Sequence, residues 1–246
     1  MKSNVAIVTG GGSGIGLAIA AKMCSEGIIT YIVGRTADKL RSAQEKLGSN
    51  ARIKVFDLDR ISEIPHLIDS ISEEAGSVDI LVNNAGINMK KPFSDVSDQD
   101  FASILHTNVQ SIFAMSREVV RIMRKQGHGS IVNISSMAAQ YGIPFVIAYT
   151  ASKTAVEGMT RAMAVELAAD GIRVNCVAPG FIRTPMSAKA LDSDPDRKNK
   201  VLGRTPMKSL GDPDDVAEAV YFLATESSKF TTGVVLPVDG GNSIGF

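Results

Sequence analysis

The sequence predicts an α/β protein built on a parallel sheet with helices on both faces. Three observations carry this. Seven short runs rich in Val and Ile recur along the chain. The intervals between them show helical periodicity. The runs lack the apolar–polar alternation of a half-exposed sheet, as expected of strands covered on both sides. In order, the runs are VAIVTG (5–10), IITYIVG (28–34), IKVFDL (53–58), DILVNNAG (79–86), SIVNISS (130–136), IRVNCVAPG (172–180) and GVVLPVDGG (233–241). Each is too short for a helix and suits a buried strand. The helical intervals are 14–26, 37–47, 61–75, 100–126, 149–170 and 213–225. Strand–helix–strand repetition implies right-handed crossovers and a parallel sheet. One long connection, 181–211, reads as irregular; such a connection inside a compact domain is usually functional or disordered.

No linker, low-complexity tract or composition break divides the 246 residues, so one domain is expected. Lys plus Arg equals Asp plus Glu, 26 of each. This balance gives no electrostatic footprint for nucleic acid or an anionic membrane. Cys24 and Cys176 are far apart and in no CxxC pattern, which predicts two buried thiols in a reducing compartment. His66, His106 and His128 show no ligand spacing, so no metal site is expected. The N-terminal residues MKSNVAIVTGG are too short in apolar run for a signal peptide or membrane span, and GNSIGF is not a peroxisomal address. The expectation is a cytoplasmic protein.

Directly after the first strand comes TGGGSGIG, residues 9–16. G-x-G-x-x-G fits in no register; the spacing is G-x-x-x-G-x-G, through Gly10, Gly14 and Gly16. Glycine permits the tight turn and lets backbone approach a pyrophosphate. The following helix offers free N–H groups and a positive dipole end. The second strand ends GRTADKL, with Gly34 where an acid would bind a ribose 2′-hydroxyl and Arg35 next. A guanidinium there suits a 2′-phosphate. NADP(H) is therefore expected over NAD(H).

In YTASK (149–153), Tyr149 and Lys153 are spaced i, i+4 and share one helix face. A free tyrosine titrates too high to be a good acid–base catalyst at neutral pH, and a nearby ammonium favours the phenolate. Ser135 or Ser136, at the end of SIVNISS, could hold a substrate oxygen; spacing alone does not choose between them.

The ordered set TGGGSGIG, Asp57, NNAG (83–86), Asn108 in LHTNVQS, the serine, YTASK, PGFIRT (179–184) and VDGG (238–241) resembles the short-chain dehydrogenase/reductase family over essentially the whole chain. That resemblance implies a single-domain Rossmann fold with a doubly wound seven-stranded sheet. It places the catalytic serine 13 residues before the tyrosine, which selects Ser136. It implies that Tyr149 is the general acid in reduction and the base in oxidation. Lys153 would tune it and bind the nicotinamide ribose, Ser136 would polarise the carbonyl, and Asn108 would hold a water in a proton relay. The cofactor would contact Gly10, Gly12, Ser13, Gly14, Ile15 and Gly16, with Arg35 at the 2′-phosphate. Asp57 and Leu58 would flank adenine, and Asn84 and Gly86 would line the cleft. Pro179, Gly180, Ile182 and Thr184 would meet the nicotinamide end, beside Tyr149 and Lys153.

Within the family the chain resembles gluconate 5-dehydrogenases and 3-oxoacyl-carrier-protein reductases. RTPMKSLGDPDDVAEAVYFLA (204–224) is similar to both. The carrier-protein reductases show two docking arginines, and those positions here are Gly127 and Asp170. SSM (135–137) and NAGINMKKPF (84–93) look more like the sugar-acid enzymes. The expected substrate is a sugar acid or polyol, with an acyl-carrier thioester as the alternative. A basic lid over about 186–210, with Lys90 and Lys91 near the cleft mouth, suggests an anionic substrate. A dinucleotide-binding module without catalysis is the remaining reading. By resemblance, a homotetramer through helices 100–126 and 149–170 and the C-terminal strand region is expected.

Overall fold

A computed structural model describes residues 4–184 and 195–245. Seven strands form one parallel sheet: β1 (Val5–Thr9), β2 (Ile29–Gly34), β3 (Ala51–Val55), β4 (Ile80–Asn83), β5 (Gly129–Ile134), β6 (Ile172–Pro179) and β7 (Val235–Val238). Their spatial order is β3-β2-β1-β4-β5-β6-β7. The chain therefore winds outward in one direction from β1 and in the other from β4. The crevice at the carboxyl ends of β1 and β4 is the switch point at which such sheets bind ligands.

The alternation hidden in the apolar runs decides the layers. Val5 and Ile7 enter one core with Ile64, Ile68 and Ile71 of α3 (Ile64–Ala75), Met115 and Val119 of α5 (Ser111–Gln126) and Leu167 of α6 (Ile147–Leu167). Ala6 and Val8 enter the other with Ile19 and Met23 of α1 (Gly14–Ser25) and Val216 and Val220 of α8 (Pro213–Ala224). A strand sends successive side chains to opposite faces, so a run apolar at every position must be covered twice. A smaller cluster, with Ile32 and Leu40, seats α2 (Ala37–Leu47).

Several boundaries differ from the expected ones. The third strand runs 51–55 rather than 53–58; Asp57 Oδ1 accepts from the Asp59 backbone N–H at 3.2 Å and turns the chain away. The run 130–136 ends as a strand at Ile134, leaving Ser135 and Ser136 on the loop beyond. The helix expected at 100–126 is two helices, α4 (Asp98–Leu105) and α5, joined by a wide turn at His106–Gln110. Ser97 and Asp100 form a reciprocal capping box that starts α4 two residues early. Finally, the irregular connection 181–211 contains α7 (Pro195–Arg204). Proline at its first position suits a helix start. The sequence PDRKNKVLGR has only Val201 and Leu202 as apolar side chains beyond its proline, too few to mark a helix. Of the expected lid, 186–194 lies outside the described residues.

Cys24 and Cys176 are buried free thiols, as expected. Among the described residues no cluster of three His, Cys, Asp or Glu could hold a metal, and no helix is long and apolar enough to cross a membrane.

Candidate active site

The glycine loop is shaped by contacts that a side chain would break. Gly10 has φ 68° and Gly14 φ 54°, both left-handed. A Cβ on Gly16 would fall 2.3 Å from the Gly10 carbonyl oxygen. The loop therefore folds back on the first turn of α1, whose N-terminal N–H groups face the crevice end of β1. Ser13 is the N-cap residue, yet its side chain makes no capping bond. Gly12 packs over Leu40, and Ile15 packs against the α1–α8 core. Backbone donors beside a positive helix end fit an anionic pyrophosphate.

The sequence reading missed Thr9. Its Oγ1 donates to the Val82 carbonyl at 3.3 Å and accepts from the backbone N–H groups of Asn84 at 3.0 Å and Ala85 at 3.1 Å. Asn84 Nδ2 returns a bond to the Thr9 carbonyl at 2.9 Å. These bonds lock the ends of β1 and β4 together across the switch point. The only sequence signal was a threonine where the strand becomes the loop.

Arg35 follows β2 and is more than half exposed, its nearest carboxylate being Asp57 at 3.9 Å. Leu58 is buried in the core. On the far wall Thr184 Cγ2 lies 3.6 Å from where a Cβ on Gly14 would sit, so PGFIRT closes over the glycine loop. Gly180 packs against Asp239, with its N–H on the Val238 carbonyl at 2.9 Å, and Pro179 ends β6. Ile182 bridges to Gly211.

The wide turn at 106–110 holds Asn108, which is fully buried. Its Oδ1 accepts from Ile87 N at 2.8 Å, and its Nδ2 donates to the Ile87 carbonyl at 2.8 Å and to Ser152 Oγ at 3.1 Å. Ser152 Oγ donates in turn to the Tyr149 carbonyl at 2.7 Å. Ser152, a middle residue of YTASK, thus links the asparagine to the tyrosine's helix turn; only its place in that motif could have flagged it. Gly86 leaves the space between Asn108 and Lys153 open: a Cβ there would stand 3.1 Å from Asn108 Oδ1 and 3.6 Å from Lys153 Nζ.

Ser135 and Ser136, equivalent by spacing, differ in the fold. Ser135 is buried, donating to Glu157 Oε1 at 2.9 Å and to the Lys153 carbonyl at 3.2 Å. Ser136 accepts from Ala138 N at 3.2 Å and interacts with the Tyr149 hydroxyl. Ser136 is therefore the serine beside the tyrosine.

Lys153 is buried, with Nζ 2.7 Å from the Ile134 carbonyl and 5.7 Å from the centroid of the Tyr149 ring. Burial pushes its pKa down to about 8. The Tyr149 phenol moves the other way: burial raises it, and the Ser136 hydroxyl pulls it partly back. The expected lowering of Tyr149 by the lysine is thus not what this geometry gives. The ammonium is spent on a carbonyl, while desolvation acts on both groups and opposes the charged form of each.

A family model described as enoyl-(acyl carrier protein) reductase matches residues 10–243. Among known proteins, a 3alpha-hydroxysteroid dehydrogenase of Mediterraneibacter gnavus is 40% identical, covering 98% of this chain and 97% of its own. A 3-oxoacyl-[acyl-carrier-protein] reductase of Thermotoga maritima is 37% identical, covering 98% of each. The solved structure of an actinorhodin polyketide ketoreductase variant with NADPH superposes with a TM-score of 0.93 at 33% identity, covering 98% of each chain. The chain belongs to the short-chain dehydrogenase/reductase family. It is an oxidoreductase acting on alcohol or ketone groups with a nicotinamide dinucleotide.

Proposed function

We propose that this protein is an NADP(H)-dependent ketone/secondary-alcohol oxidoreductase. The observation that carries the reading is the convergence of Asn108, Ser136, Tyr149 and Lys153 beside a glycine loop whose shape suits a pyrophosphate. Gly10, Gly12, Ser13, Gly14, Ile15 and Gly16 would cradle the phosphates, with Asp57 and Leu58 at the adenine. Asn84, Gly86, Pro179, Gly180, Ile182 and Thr184 would line the nicotinamide end. The bound dinucleotide supplies or takes up the hydride. In reduction Tyr149 donates its hydroxyl proton to the carbonyl oxygen that Ser136 holds. A raised phenol keeps that proton available across neutral pH; the alcohol-oxidising direction, which needs the phenolate, should speed up with rising pH. Asn108, Ser152 and Lys153 sit where a proton path from solvent to the phenol would run. The intact set of four weighs against a binding module without catalysis.

The choice of NADP(H) rests on Arg35, with Gly34 in place of an acid. Arg35→Ala should raise KM for NADPH on the order of 10–100-fold and leave that for NADH within about 2-fold, since only a charge-assisted phosphate contact is lost. Steady-state kinetics with both cofactors reads this; equal changes would sink the assignment.

Two features bear on the substrate. Arg124, close in sequence to Gly127, donates to Asp170 Oδ2 at 2.6 Å. Its charge is already matched, which disfavours an acidic carrier protein. A cavity of about 410 Å³, walled on one side by the segment that joins Ser136 to Tyr149, includes Ile143, Pro144, Phe145, Phe181 and Val201 among its lining residues. A polyhydroxylated chain would find no hydrogen-bond partners along those apolar side chains. A ketone with a largely apolar body fits better than the sugar acid or polyol that the motifs suggested. NADPH consumption with 5-ketogluconate, an acetoacetyl thioester and an apolar ketone at matched concentration separates the three. Faster turnover of the sugar acid would reverse this preference.

Phe113 and Val165, on the outer faces of α5 and α6, are 52% and 84% exposed. With the family's habit of pairing through these helices, they support a homotetramer; a monomer mass by light scattering would refute it.

A further inference from the structure

The cavity lined by Phe145 and Phe181 has charged as well as apolar lining residues. One wall is the segment joining Ser136 to Tyr149, from Tyr141 to Phe145; another is Phe181 of PGFIRT; a third is α7. Lys90, Lys200 and Arg204 also line it, with Asp196 the one carboxylate. Lys91 is neutralised by Asp100 at 2.7 Å, but none of the three lining cations has a carboxylate partner among the described residues.

Arg204 is the one that is built in. Its guanidinium stacks on the Tyr141 ring, 4.2 Å from the centroid, and its Nε donates to the Asn242 carbonyl at 2.9 Å. Asn242 is buried and fixed in turn. Its Oδ1 accepts from Tyr141 at 2.5 Å, and its Nδ2 donates to Thr205 Oγ1 at 2.8 Å. The Arg204 Nη groups have no acceptor among the described residues. A guanidinium held by stacking and one bond, with its remaining donors unspent, is preorganised for a carboxylate or another planar anion. Phe145 meanwhile sits at φ 69°, a left-handed conformation that costs free energy for a bulky residue and tends to mark ligand sites. Lys90 lies 5.7 Å from its ring centroid.

We propose that Arg204, held by Tyr141 and Asn242, is the specificity-determining residue that binds an anionic group at the far end of an apolar ketone substrate. The substrate class is thus an amphiphilic oxo acid: the carbonyl at Tyr149, an apolar body against Phe145, Phe181 and Val201, and a carboxylate on Arg204. This rests on the redox reading and deepens it.

The test uses acetylphenyl-alkanoates of increasing chain length and their methyl esters, with NADPH and the full chain. Free acids should be reduced with kcat/KM on the order of 10–100-fold above their esters at one favoured length. In Arg204→Gln the acid-over-ester ratio should fall to near unity, through KM rather than kcat. Arg204→Lys should restore part of it, because charge returns without the fork. A preference that survives Arg204→Gln, or equal turnover of acid and ester by the wild type, would overturn the proposal. Reduction of 5-ketogluconate but of no aryl ketone would overturn the apolar-body claim alone. NADPH binding with no ketone reduced at all would instead refute the redox reading.

Discussion

Tyr149→Phe should lower kcat about 10³-fold or more while leaving the NADPH dissociation constant within about 2-fold. The substitution removes one oxygen and keeps the ring. What is lost is the only phenol in the convergent set, and positioned proton transfer typically contributes 10²–10⁴-fold. Fluorescence titration of NADPH and single-turnover reduction read the two quantities separately. Because Ser136 also contacts this hydroxyl, Ser136→Ala should be milder. It removes the polarising bond but leaves the proton donor. Substantial turnover in Tyr149→Phe would mean that another group donates the proton.

Lys153→Met should abolish activity and, in the cofactor-free protein, raise the melting temperature. The sign follows from the titration. The folded pKa is about 8, below the roughly 10.4 of an exposed lysine. Below pH 8 the lysine is charged in both states, and its burial costs the native state ~3 kcal/mol. Between pH 8 and about 10.4 the unfolded chain binds more protons, so native stability recovers as pH rises. Methionine removes the penalty but orphans the Ile134 carbonyl, which costs about 1–2 kcal/mol. A net gain of ~1–2 kcal/mol at pH 7 corresponds to a few degrees in a chain of this size. The gain should shrink toward pH 10.4. Thermal melts of both proteins from pH 7 to 10.5 test this, and a variant that melts lower than the wild type at pH 7 would contradict it.

The sheet was legible because each strand is a short apolar run, and period and length sufficed to find all seven. The glycine loop and YTASK were legible because backbone approach and i, i+4 spacing are local properties. Three things were not local. Thr9 matters through Val82, Asn84 and Ala85, more than 70 residues away along the chain. The split between Ser135 and Ser136 depends on Glu157 packing behind the loop. The raised Tyr149 phenol depends on its burial, which spacing does not reveal. Helix α7 failed for another reason: beyond its proline and glycine, only Val201 and Leu202 are apolar in PDRKNKVLGR, too few to mark a helix among charged residues.

The turn at 106–110 closes with Ser111 N–H on the His106 carbonyl, five residues back instead of four. In effect it is one inserted residue between α4 and α5. Such insertions are rare and gather at functional positions. Here the extra length turns Asn108 inward onto Ile87 and Ser152, where a regular helix would carry it around with its neighbours. The spacing between LHTN and the α5 core is therefore a length constraint rather than a composition constraint. Substitutions at Val109 or Gln110 should be tolerated far more readily than the loss of either residue. A redesign that regularised this helix for ideal hydrogen bonding would take the asparagine off Ile87 and Ser152, and so out of the proposed proton path.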